Sequence, residues 1–292
     1  MAEFSKAIDI LLILKLRNEP LFQSWLDEET LTDCLLEDML NGEVFATIWA
    51  GCVYFYYQGK MLFAYDGTFK ACLAKAFVPQ YDGFEHIEMM DETELAGMKH
   101  HVDFRDAYEK IKMRFLFWED TDVSARFYPF SFAAYPCEQY FVLDTRIEWD
   151  TEIQVVVPHC FLLMDAHAGR LLFCAAMKYS GMEGPLEYDV KELTYQLERY
   201  RDRIAEQRDD IIEQYGQYTR AMEALTGIGL PAPTGVCGDC GLLIYGFDED
   251  QQNGKLKKIT DSLTEMGWSV CAVRDIEDVT PETLFTRLAR GV

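Results

Sequence analysis

The chain has 292 residues, 49% hydrophobic and 14% aromatic, which is enough apolar material for one large core or two modest ones and excludes a disordered chain. Its 50 acidic residues against 27 basic ones give a net charge of −23, a field that repels phosphate backbones and disfavours unaided nucleic-acid binding. No apolar run reaches the ~20 residues needed to span a bilayer, so no membrane partner is expected.

The first ~50 residues predict helices, with Ile8, Leu11, Leu12, Lys15 and Leu16 on one face. From Ala46 to Pro79 the pattern changes to strands. The turn signals Gln58-Gly59 and Asp66-Gly67 divide it into three β-rich runs, a small antiparallel meander. The acidic stretch Tyr81–Glu94 reads as a connector. A domain boundary is expected near it, giving an α+β meander subdomain over 1–98 and a second domain over 99–292. A helix follows from Val102 to Trp118, its inner face formed by Phe104, Tyr108, Ile111 and Phe115.

Three apolar runs then lie between turn signals. The first is Y-F-V-L-D-T-R-I-E-W from Tyr140, and the second and third are joined by Asp165-Ala166-His167-Ala168-Gly169, a hairpin connection in which Gly169 takes any positive-φ position. If Asp165 pairs with Arg170, His159 lies opposite Ala176 and Cys160 opposite Ala175; a slip of one residue puts Cys160 opposite Ala176.

Residues 189–225 read as a long helix in which Val190, Leu197, Ile204, Ile211, Tyr218 and Leu225 recur every seven residues, with Leu193 and Tyr200 completing the seam. Two readings stand: a coiled-coil contact forming a homodimer or scaffold, or two helices broken near Gly216 and packed on their own sheet. The tail reads strand (Gly241–Phe247), helix (Gln251–Met266), strand (Trp268–Ile276), helix (Pro281–Leu288), with Gly267 and Thr280 as caps.

The order helix, three strands, helix, strand over Val102–Ile276 resembles the αβββαβ core of the PD-(D/E)XK restriction-endonuclease-like superfamily, and especially its uncharacterised bacterial members of the defence type. The resemblance implies an α/β fold with an N-terminal α+β meander. In such enzymes an acid on the second strand and a (D/E)-x-K on the third hold Mg²⁺ and a water, whose pKa the metal lowers. The third-strand motif is here Ala176-Met177-Lys178: the lysine is present and the carboxylate position is alanine. The second-strand acidic position falls at or beside Cys160, next to His159.

Asp165 sits at the turn end of its strand, more than ~20 Å from Lys178, and cannot share an ion with it. The remaining acids in reach are Asp144 and Glu148 on the first strand. They share parity and form either a migrated metal site or the solvated face of an edge strand.

The leading expectation is a catalytically degenerate nuclease-like protein. It needs no cofactor and works in the cytoplasm with a protein partner as a binding or regulatory component. The runner-up is an active Mg²⁺-dependent nuclease using Lys178 with Asp144 or Glu148. The nine cysteines, odd in number and scattered through apolar runs, read as reduced buried thiols. Cys237-Gly238-Asp239-Cys240 lacks the further ligands of a structural zinc unless folding brings Cys271 or a histidine to it.

Overall fold

A computed structural model of the chain describes residues 5–23, 34–72, 89–97, 103–116, 123–135, 137–147, 159–179 and 186–289. The architecture is mixed α/β with two sheets. By contacts the chain divides into two compact units, one of Ser5–Pro129 with Gln217–Leu230, the other built mainly from Phe130–Gly216 and Pro231–Val292.

In the first unit, Asp9 caps helix α1 (Ile10–Arg17) by accepting the Leu11 N–H at 2.9 Å. The helix starts at Ile10, leaving Ile8 before it; its buried residues are Ile13 and Leu16, and Leu11, expected on the same face as Leu16, is 68% exposed. Helix α2 (Leu35–Leu40) follows, but the helical character ends before residue 50. Val44–Trp49 is strand β1, because Ala50 and Gly51 both take left-handed φ (48° and 79°) and close a hairpin into β2 (Cys52–Tyr57).

Gln58-Gly59 repeats that geometry (51° and 77°) into β3 (Lys60–Tyr65), and the chain returns as β4 (Phe69–Cys72). With β5 (Met89–Met90) on β4, the sheet is a five-stranded antiparallel meander in sequential order, not the expected three runs.

Helices α3 (Glu92–Gly97) and α4 (Phe104–Leu116) complete the unit. The predicted spacing of α4 does bury Phe104, Tyr108 and Ile111. Phe63 of β3 meets the rings of Phe104 and Tyr108 at 5.4 and 6.2 Å, so α4 packs on the meander although the sequence reading placed it in the domain after residue 98. Beside it the buried Lys112 ammonium donates to Asp38 at 2.7 Å, and the Tyr108 hydroxyl donates to the same carboxylate at 2.6 Å.

The second unit is built on β6 (Tyr140–Asp144), β7 (His159–Asp165) and β8 (Arg170–Lys178), followed by helix α5 (Leu186–Glu206) and the first half of α6 (Arg208–Thr226), whose residues from Gln217 on belong to the first unit. The short β9 (Gly235–Val236) also pairs with β8. Then come β10 (Gly241–Tyr245), helices α7 (Glu249–Asn253) and α8 (Lys255–Glu265), β11 (Val270–Val273) and α9 (Pro281–Leu288).

The strand order is β11-β10-β8-β7-β6. Strand β7 is antiparallel to both neighbours, whereas β8, β10 and β11 run parallel. Residues 171–176 of β8 are all buried, as a central strand covered on both faces requires. Thr280 caps α9 by accepting the Thr283 N–H at 3.2 Å, and Gly267 takes φ +92°, both as the sequence predicts.

The stretch 189–225 is two helices, but the junction is Gln207, and Gly216 stays inside α6. Val190, Leu193, Leu197, Tyr200, Ile204, Ile211, Tyr218 and Leu225 are all buried within the single chain. The seven-residue spacing is therefore used in packing within the chain, as the second of the two readings has it. No helix among the described residues is long and apolar enough to cross a membrane.

Candidate functional site

The hairpin fixes the geometry of every sequence-predicted site residue in the second unit. Asp165 pairs with Arg170, which places His159 opposite Ala176 and Cys160 opposite Ala175, the first of the two registers considered. Gly169 takes φ +63° in the turn. Asp165 Oδ1 accepts the N–H groups of His167 and Ala168, each at 3.1 Å, and the Gln139 amide at 3.0 Å. Asp165 is thus a turn-former at the far end of the strand from Lys178.

Cross-strand partners share a sheet face, so the register sorts the side chains. His159, Ala176 and Lys178 lie on the face that carries Asp165, Arg170 and Tyr140; there Tyr140 meets Phe285 of α9, ring centroids 5.2 Å apart. Cys160 and Ala175 lie on the other.

Asp144 belongs with Cys160, because β6 carries a bulge between Val142 and Asp144: Val142 pairs with Leu163 and Asp144 with Leu162. The extra residue, Leu143, turns Asp144 onto the face opposite Lys178. There Asp144 is fully buried; its Oδ2 accepts the Tyr215 hydroxyl at 2.9 Å and its Oδ1 the Arg146 N–H at 3.0 Å.

This corrects both readings of Asp144. It is neither a solvated edge residue nor a partner for an ion at Lys178, since the sheet separates the two side chains. Glu148, its proposed companion, lies outside the described residues.

Lys178 ends β8 with an exposed side chain. Its partner across the parallel pairing is Tyr245, after which Gly246 takes φ +74°. A Cβ at Gly246 would stand 3.1 Å from Lys178 Cγ, so the lysine stem lies across the glycine backbone. Two positions before it, Ala176 is fully buried between His159 of β7 and Leu243 of β10.

Magnesium needs hard oxygen donors in near-octahedral array. The face of Lys178 offers an alanine, an imidazole and an amine near the end of β8, while the acid and the thiol point the other way. These residues do not fit the ion. Among the described residues no three His, Cys, Asp or Glu side chains are grouped so as to hold a metal.

That holds for the Cys237/Cys240 motif too. Both thiols are buried, as are Cys174 and Cys271. Burial raises the Cys237 thiol above its ordinary value, against a smaller downward pull from Arg170 and Arg208. Burial, and then Cys240 and Cys271, push Cys174 well up. Cys237 and Cys174 are thus packed thiols whose burial favours the protonated form.

Two residues of the site escaped the sequence reading. Tyr215, the partner of Asp144, is a tyrosine off the heptad seam, and nothing local marks it. Gly246 could have been found, since a glycine directly after an apolar strand is a turn signal. Comparison with protein-family models, curated proteins and solved structures finds no match to the chain.

Proposed function

We propose that the chain is a catalytically degenerate relative of the PD-(D/E)XK nucleases that acts in the cytoplasm as a binding or regulatory component, working with a protein partner in bacterial defence. The defence role rests on the resemblance of sequence order alone. What supports the nuclease-like core is topology: three antiparallel strands, a helical crossover, and a fourth strand parallel to the third, in the spatial order β6-β7-β8-β10. The helix expected to open that core packs with the meander instead, so the likeness is carried by the strands and the crossover.

One observation carries the degenerate reading. The lysine stands at the end of β8, the position two residues before it is a buried alanine, and Asp165, the carboxylate that the described pairing puts on their face, sits at the opposite end of the hairpin. The alanine, imidazole and amine at this end of β8 supply no oxygen donor to seat a divalent ion or lower the pKa of a bound water.

The test is incubation of the full chain with supercoiled and linear DNA, and with single-stranded RNA, in Mg²⁺ or Mn²⁺. Intact substrates at enzyme excess are expected. Cleavage that disappears in Lys178→Ala, with the variant still folded, would overturn the proposal.

A further inference from the structure

Within α1 (Ile10–Arg17) only Lys15 and Arg17, both in the last turn, are polar, so the helix is apolar around almost its whole circumference. Such a helix is ordinarily enclosed on every side. The chain covers one side, where Ile13 and Leu16 are fully buried. On the other, Ile10, Leu11 and Leu14 are 47%, 68% and 45% exposed. Among the described residues seven large hydrophobic side chains are exposed in all, and three of them stand together on this one helix. Single exposed leucines are ordinary, but a contiguous patch on the order of 300 Å² is of the size that marks an interaction site.

The charge around the patch selects what it fits. At ~100° per residue the three side chains fill an arc of about 100°, with Arg17 on one border and Lys15 on the other. Both are exposed, and each donates to a backbone carbonyl, Lys15 Nζ to Gly67 and Arg17 Nη1 to Ala224. A carbonyl holds the cation in place and leaves its charge uncancelled. No acid occurs from Ile10 to Asn18; by the same rotation Asp9 falls on the side of Ile13 and Leu16, and Asp66, beside Gly67, is paired with Lys70 at 2.6 Å.

A second copy of this face would bring cations and no acid to Lys15 and Arg17. An anionic bilayer would meet the whole body of the chain, with its charge of −23. A single helix meets only the patch, because exposed charges beyond about 8 Å are largely screened at physiological ionic strength.

We propose, on the reading of the chain as a partner-bound component, that this face of α1 docks an acidic amphipathic helix of the protein partner. Aliphatic side chains one turn apart lie on Ile10, Leu11 and Leu14, and carboxylates flanking them meet Lys15 and Arg17. Nuclease activity would end the partner-bound reading, whereas peptide binding bears on this face alone.

The probe is a fluorescein-labelled helical peptide of about fifteen residues, with leucine at every third and fourth position and glutamate between, titrated with the full chain by anisotropy. Its twin carries lysine in place of glutamate. Saturable binding of the glutamate peptide is expected, at least about tenfold tighter than of the lysine peptide at low salt. Leu11→Glu, at an exposed position, should leave the melting temperature little changed and weaken the glutamate peptide roughly tenfold or more. Lys15→Glu/Arg17→Glu should reverse the preference between the two peptides, a change that loss of folding cannot mimic.

Absent glutamate-peptide binding, equal binding of the two peptides, or unchanged affinity in folded Leu11→Glu would each overturn the proposal. So would self-association of the chain that Leu11→Glu abolishes, which gives the face to a second copy. Flotation with phosphatidylserine vesicles that the same change abolishes would give it to a membrane, and would overturn the proposal as well.

Discussion

Replacing Lys112 by methionine should cost the first unit about 3 kcal/mol, and the magnitude follows from which of its partners water can reach. Lys112 is 8% exposed in its side chain and faces three carboxylates, Asp38 at 2.7 Å, Glu109 at 3.2 Å and Glu43 at 3.4 Å. Glu109 and Glu43 are 52% and 54% exposed, so each is screened and worth at most ~1 kcal/mol. Asp38 is 6% exposed, and losing its cation leaves a buried charge, a defect of about 3–5 kcal/mol. The Tyr108 hydroxyl still donates to Asp38 in the variant, which sets the expectation at the low end.

Removing both charges in Asp38→Leu/Lys112→Met should cost at least ~1.5 kcal/mol less than the sum of the single changes. Urea unfolding of the four proteins measures the cycle. A Lys112→Met cost below about 1 kcal/mol, or an additive double variant, would refute the reasoning.

The same pair sets an alkaline limit. Burial draws the Lys112 ammonium down, but the hydrogen bond and charge of Asp38, then Glu109, outweigh it and hold the group above the ordinary lysine range. Burial, then Asp38, likewise raises Tyr108. Both keep their proton to higher pH in the fold than in the unfolded chain. Their contribution is whole below about pH 10 and is lost as pH climbs through the raised values. Lys112→Met removes one such proton, so above about pH 10 its stability should fall less steeply with pH, by up to ~1.4 kcal/mol per pH unit.

Leu197→Glu should destabilise the second unit by about 3 kcal/mol or more without altering sedimentation at permissive temperature, because the residue is buried within its own chain; a folded variant of reduced mass would mean that the helix joins two copies. Gly246→Ala should cost about 1–3 kcal/mol, read as a lowered melting temperature, since the position is left-handed and the new methyl meets the Lys178 stem; an unchanged melting temperature would show that neither constraint acts. Native labelling with a maleimide, read by mass spectrometry, should reach the exposed Cys137 first and Cys174 only after unfolding; early modification of Cys174 would contradict its packing.

Features fixed by local chemistry were legible in the sequence. Thr280-Pro281 and Gly267 marked helix ends because cap geometry depends on a few adjacent residues, and Gly169 marked the hairpin turn but left two registers open, because both strands are buried on both faces. The inner face of α4 followed from its period. The misses share a different cause. Ala50 adopts a positive φ that its side chain disfavours, so the first hairpin left no turn signal beyond Gly51.

The bulge at Leu143 has no residue-type signature, yet it decides which face of the sheet Asp144 occupies. A seven-residue apolar period cannot distinguish a partner helix from the chain's own core, because both remove the same side chains from water. Asp38 and Lys112 lie far apart in the chain, and only tertiary packing brings them together.

The position of β8 has a consequence during synthesis. Its free edge is closed by β9 and β10, which leave the ribosome only after both long helices have been made. Until Gly241–Tyr245 appears, a nine-residue strand, apolar through most of its length, presents unpaired amides and carbonyls to whatever is nearby. Nascent chains stalled within α5 or α6 should therefore need a chaperone, whereas those stalled beyond Val273 should not.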